Sequence, residues 1–321
     1  MKRIVLGIVA CLCLGSPALS AEADFVFLFD ASAGMSDDIA TMRSGLSTFS
    51  TSLAGAGIDS RFAVVLFGDT PELVLDFTSN ITAVDSAFGQ VGTAGAVAGF
   101  QRDHSVDPEA GLEAARIVVG AAVNGGDAVY RTNVGGTGDL VFRPTARRNL
   151  ILLTDEDSDA PSHAANRLAG QLTVEPPAPI TGTDWQVEVG NTAQALIAGT
   201  THVDLWVNPL DVPTTAQYGD PAQNVYGLDY TNWNASQTLA NLVAQGLGNC
   251  LQAQLLQNGV TAKAYDVNDI GQMGIADNYF AVKVAENVPE PATLALVALG
   301  GLGTALRRRR QDRSRAGRTT R

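Results

Sequence analysis

The chain of 321 residues is 45% hydrophobic and 17% charged, enough apolar material for a buried core and too little charge for a disordered polyelectrolyte. Its formal net charge is −12, and residues 21–290 alone hold 11 Lys and Arg against 32 Asp and Glu. Such a surface repels nucleic acid and other polyanions unless divalent cations bridge the two, and three cysteines give no disulfide framework.

Residues 1–20 read as a secretory signal peptide: Lys2-Arg3, an apolar run from Ile4, then the small residues of Ser16-Pro17-Ala18-Leu19-Ser20, with cleavage after Ser20 or Ala21. Cys11 and Cys13 leave with it, so Cys250 is the one cysteine expected in the exported chain. Its helix-like surroundings predict a buried, inert thiol.

Asp24 opens the run Phe25-Val26-Phe27-Leu28-Phe29, whose continuous hydrophobicity predicts a strand buried on both faces. The run stops at Asp30, and Ile39, Met42, Leu46, Phe49 and Leu53 then follow at helical spacing. Asp30 and Ser32 are thereby placed at the carboxyl end of a central strand, where open α/β sheets bind their ligands. Their hard oxygens suit Mg²⁺, Mn²⁺ or Ca²⁺. A second reading of the same residues is that they cap the following helix.

Arg61–Phe67 predicts the next buried strand, Leu73–Phe77 a short edge strand, and Thr82–Val91 an amphipathic helix. Strands alternating with helices predict a Rossmann-like, doubly wound and mostly parallel sheet. A glycine- and alanine-rich stretch over 92–99 leads to Asp107-Pro108-Glu109, where Pro108 suits a first helical turn and both acids suit its positive end. His104 reads as an exposed loop residue. Residues 120–146, rich in Gly and Asn, read as an insertion. Arg147–Leu153 repeats the opening pattern, a buried strand ending on Thr154-Asp155-Glu156-Asp157.

Farther on, 164–172 predicts a helix, 173–200 a second insertion and Thr201–Val207 a strand. Residues 208–234 read as a long loop bearing Tyr218, Tyr226, Tyr230 and Trp233, aromatics that either stack on a sugar or protein partner or pin the loop to the body, and 236–256 as one or two helices. Thr261–Asp266 and Tyr279–Val284 close the domain. The end of the chain is tripartite: Pro289-Glu290-Pro291, an apolar run over 292–306 that is short for a stable span, and Arg307-Arg308-Arg309-Arg310.

Three loops in order, Asp30-x-Ser32-x-Gly34, Asp107-Pro108-Glu109 and Thr154-Asp155, resemble the metal-ion-dependent adhesion site of von Willebrand factor type A domains. Gly34 departs from the pattern, which has a second serine there, and Glu156 replaces its usual glycine. The resemblance implies a type A domain over 21–287 and a metal held by Asp30, Ser32, Glu109 and Asp155, with Ser105 as fallback in the second loop. Met35-x-Asp37-Asp38 and the second loop are similar to the integrin β variant, which implies an adjacent cation near Asp37, Asp38 and Asp107. The cation implied is Mg²⁺ first, with Ca²⁺ or Mn²⁺ as alternatives.

The carboxyl-terminal tripartite segment resembles the PEP-CTERM sorting signal of Gram-negative bacteria, carried by Pro289, Glu290, Pro291, Arg307 and Arg308. It implies export through the inner membrane, transient membrane association through the apolar run, cutting by an exosortase-type enzyme, and a final place at the cell surface or in exopolysaccharide. Together the two resemblances imply metal-dependent adhesion to a protein or matrix ligand that offers an acidic group. The alternatives are a structural matrix component whose metal only stabilises it, and a metal-assisted hydrolase. Three scattered histidines supply no nucleophile–base constellation, so no enzyme is expected.

Overall fold

A computed structural model describes residues 21–68, 71–91, 110–120, 140–158, 184–221, 238–270 and 275–288. Six strands form one sheet: β1 (Ala21–Asp30), β2 (Ile58–Phe67), β3 (Glu72–Thr78), β4 (Arg147–Leu153), β5 (Thr201–Val207) and β6 (Ala262–Asp266), in the order β3-β2-β1-β4-β5-β6. All pairings are parallel except the β2–β3 edge. This is the doubly wound, mostly parallel architecture predicted, with β1 at its centre.

The two-residue period of β1 divides its side chains between two cores. Phe25, Phe27 and Phe29 face one side, against α1 (Ser36–Gly55), α2 (Ile81–Val91) and the last helix, α8 (Ile275–Asn287). Phe88 of α2 meets Phe27 and Phe29 edge-on at centroid distances of 4.9 and 4.8 Å. Such pairs add about 0.5–1.5 kcal/mol each to the burial of the rings. Val26 and Leu28 face the other side, against α3 (Gly111–Val118), α4 (Asp184–Ala198) and α7 (Leu251–Gln257). The strand reads as continuously apolar because both faces are covered.

Helices fill two stretches that the sequence reads as an insertion and a loop. Residues 173–200 contain α4, whose Val189, Ala193 and Leu196 are buried in the core. Parallel β4 and β5 require a crossover between them, and α4 supplies it. The aromatic loop contains α5 (Val212–Gln217), and Tyr218 is fully buried, pinned to the body instead of offered to a partner. Tyr226, Tyr230 and Trp233 lie outside the described residues, as do the predicted helix at 164–172 and the signal peptide. Tyr279–Val284 belongs to α8. Its Tyr279 and Phe280 pack under α1, and between α5 and β6 lie α6 (Leu239–Ala244) and α7. Cys250 is buried at the start of α7, with its thiol pushed up to about 11 chiefly by burial.

Polar clusters secure the amino end of the sheet. Buried Asp24 accepts from Arg61 Nε and Nη2 at 3.0 and 2.7 Å and from the Arg143 N–H at 2.8 Å, which ties residues 140–143 to the first strands. Lys283 of α8 bonds Asp204 at 2.6 Å and Glu286 at 2.5 Å, and Tyr279 donates to Asp204 at 2.7 Å. Asn149 of β4 donates to Asn287 Oδ1 at 3.2 Å and accepts from its amide at 3.4 Å, so the final turn of α8 is bound to a central strand. Among the described residues, no helix is long and apolar enough to cross a membrane.

Candidate metal centre

Strands β1 and β4 lie side by side with Phe29 opposite Leu153, so Asp30 and Thr154 leave the sheet together. Asp30 is fully buried, and its two oxygens are already directed: Oδ1 accepts from the Ser32 N–H at 2.7 Å and Oδ2 from Thr154 Oγ1 at 2.8 Å. Ser32 Oγ in turn donates to Asp155 Oδ1 at 3.1 Å. Backbone bonds fix both loops, Ala31 N–H to the Phe67 carbonyl at 2.8 Å and Thr154 N–H to the Trp206 carbonyl at 3.0 Å.

The helix-capping reading of Ser32 does not describe what its side chain does. A 3-10 turn at Ala33–Met35 precedes α1, and neither Ser32 before that turn nor Met35 before the helix makes a side-chain capping bond. The hydroxyl points across to the third loop instead.

Gly34 also acquires a reason. A Cβ built there would stand 2.7 Å from Asp155 Oδ2, closer than such atoms approach, so glycine at this position admits the third-loop carboxylate. Asp38 is half-buried on the same side. Its carboxyl is pushed up to about 7, first by burial, then by the negative charges of Asp155 and Asp37. Asp37 is exposed in the first turn of α1, where its charge suits the helix dipole.

Glu109, Asp107, Ser105 and His104 lie outside the described residues, as do Pro289, Glu290, Pro291, Arg307 and Arg308. The second loop ends inside them: Ala110 N–H donates to the Gly68 carbonyl at 2.9 Å, which starts α3 beside the carboxyl end of β2. Gly111 there passes so near the Tyr218 hydroxyl that no Cβ fits between them. Sequence reasoning missed Thr154 as a partner of Asp30, and it missed Ser158 and Gln217 altogether. The Thr-Asp pair was visible, but no local pattern reveals bonds spanning 124 or 59 residues.

Among the described residues, no three Asp, Glu, His or Cys side chains are grouped as a metal cage. The converging oxygens are those of two carboxylates, Asp30 and Asp155, and two hydroxyls, Ser32 and Thr154. Hard oxygens of this kind suit a divalent ion such as Mg²⁺ or Ca²⁺ by their chemistry.

Residues 287–310 match the PEP-CTERM protein-sorting motif. The chain carries an export address. The PEP-CTERM motif implies processing by an exosortase-type enzyme, and it directs the protein to the cell surface or the exterior. No curated protein matches the chain. Similar solved structures include two of proximal thread matrix protein 1 from the mussel byssus. They are 13% identical, with TM-scores of 0.41 and 0.40, over 83% of this chain and 49% and 48% of theirs. A third, of the same mussel protein with a zinc-occupied MIDAS motif, is 14% identical with a TM-score of 0.37, over 79% of this chain and 46% of that one. The chain therefore spans about half the length of the structures it matches. Its mostly parallel sheet, with helices on both faces, is the doubly wound α/β architecture that the sequence predicts.

Proposed function

We propose that this is an exported binding module which uses a divalent cation to capture an acidic group of a protein or matrix ligand, at the cell surface or within exopolysaccharide. The observation that carries the reading is the meeting of Ser32 Oγ with Asp155 Oδ1 above the buried carboxylate of Asp30, three oxygens brought from two separate strand ends. Asp30, Ser32 and Asp155 would hold the ion, with Glu109 as the second-loop ligand that the family resemblance supplies. When bound, such an ion offers an open coordination position to an incoming carboxylate.

The chain's own groups perform the remaining work. Thr154 fixes the rotamer of Asp30, Gly34 admits Asp155, and Asp38 places a further carboxyl at this end of the sheet, one that a bound cation would favour in its charged form. We infer binding and not catalysis, because the sequence pairs none of its three histidines with a nearby nucleophile.

The test is calorimetric titration of the exported protein with Mn²⁺ and Mg²⁺, alongside Ser32→Ala. Saturable binding is expected in the native protein, weakened about tenfold in the variant, which corresponds to ~1.4 kcal/mol for one lost ligand. Equal affinities would remove Ser32 from the site. Attachment to a carboxylate-bearing surface is expected to vanish in EDTA and return with Mg²⁺. Attachment that ignores EDTA, together with a melting temperature that depends on metal, would instead select the purely stabilising role.

A further inference from the structure

The third loop is held from behind by a residue the metal-site motif does not contain. Gln217, at the end of α5, is 1% exposed. Its Oε1 accepts from the Ser158 N–H at 2.5 Å, and its Nε2 donates to the Ser158 carbonyl at 3.0 Å and more weakly to Asp157 Oδ2 at 3.4 Å. One side-chain amide thus occupies both backbone groups of one residue, as a neighbouring strand would. Asp211 aims it by capping α5, its Oδ2 accepting from the Thr214 N–H at 2.9 Å.

Ser158 has a second duty. Its Oγ accepts from the Leu112 N–H at 3.0 Å. Leu112 lies in the first turn of α3, where N–H groups lack intrahelical partners. The residue preceding that helix, Ala110, makes no side-chain capping bond. The cap of α3 therefore comes from the third loop, 46 residues away.

We propose that Gln217 is a positioning residue that joins the third ligand loop to the start of α3 as one unit, holding Asp155 where it meets Ser32. This rests on the metal-site reading above. The chain of contacts runs from Gln217 to Ser158, then along the backbone to Asp155 on one side and through the Leu112 N–H to the first turn of α3 on the other. Replacing the amide by an apolar side chain of similar length strands the buried N–H and carbonyl of Ser158. A loop that must rehydrate them moves outward, and Asp155 and the first turn of α3 move with it.

The experiment is amide hydrogen exchange on the full exported chain, first without metal, for the native protein, Gln217→Met and Ser158→Ala. Exchange at 154–158 and at 110–114 is expected to quicken together, by about tenfold or more, in Gln217→Met, while strand β1 keeps its protection. In Ser158→Ala only 110–114 should quicken. Mn²⁺ titration then separates positioning from mere stability. Gln217→Met is expected to bind about tenfold more weakly even at temperatures where its folded fraction is complete. Unchanged exchange at 110–114, or native Mn²⁺ affinity in Gln217→Met, would overturn the proposal. If the native protein binds no Mn²⁺, the metal reading fails by itself, and the exchange data alone decide whether Gln217 joins the third loop to α3.

Discussion

Asp30→Asn is the substitution that separates charge from shape at the candidate site. The asparagine Oδ1 still accepts from the Ser32 N–H, and its amide can donate to Thr154 Oγ1 where the carboxylate had accepted from it. The metal-free fold should therefore survive at a cost of about 1 kcal/mol for one rearranged hydrogen bond. What disappears is the negative charge that a divalent ion needs from its innermost ligand. In the native protein, free Mg²⁺ at a hundred times its dissociation constant would add about 2.7 kcal/mol to stability. For a domain spanning residues 21–288, at ~2.1 cal/mol/K of unfolding entropy per residue, this corresponds to an increase of roughly 5 °C in Tm. Thermal unfolding followed by circular dichroism, in EDTA and in saturating Mg²⁺, measures both numbers. The native protein should show the increment and Asp30→Asn should not. An Asn variant that still gains about 5 °C with metal would refute the assignment of Asp30.

Two further changes test the neighbourhood. Gly34→Ala places a methyl 2.7 Å from Asp155 Oδ2 and should drive that carboxylate off Ser32, weakening Mn²⁺ binding about tenfold in calorimetry with little change in metal-free Tm. Asp24→Asn should cost ~2–3 kcal/mol in urea unfolding at pH 7, less than a fully buried pair because its arginine partners reach solvent. Burial raises the Asp24 carboxyl, but hydrogen bonds and charge from Arg61 and Arg143 outweigh it and hold the carboxyl below the ordinary value of 3.8. Its contribution is therefore present above pH 3.8 and lost as pH falls through the lower folded value, so the native and Asn proteins should converge in stability in strong acid.

The central strands and α1 were legible because their side chains obey a period that burial enforces: Phe25, Phe27 and Phe29 on one face, Val26 and Leu28 on the other. Asp30, Ser32 and Asp155 were legible because strand ends in such a sheet are marked by an abrupt change from apolar to acidic. Helix α4 was not, since the prolines at 176 and 177 and the mixed polarity after them suggest an insertion, and only the need for a crossover between parallel strands demands a helix. Gln217 escaped for a related reason. A polar residue in a long connection looks exposed until a distant loop, here at Ser158, is seen to close on it.

Helix α8 ends at Asn287, which exchanges hydrogen bonds with Asn149 in β4, and the sorting motif begins at that same residue. The last described turn before the motif is therefore tied into the sheet by side-chain hydrogen bonds as well as by apolar packing. Asn149, Asp204 and Lys263 brace α8 from three neighbouring strands, so fraying of its final turns has to break polar contacts to β4, β5 and β6 together. Cutting the chain beyond Asn287 leaves all of these contacts in place, whereas a cut inside the last turn of α8 would remove the partners of Asn149 in β4 and Lys263 in β6 at once.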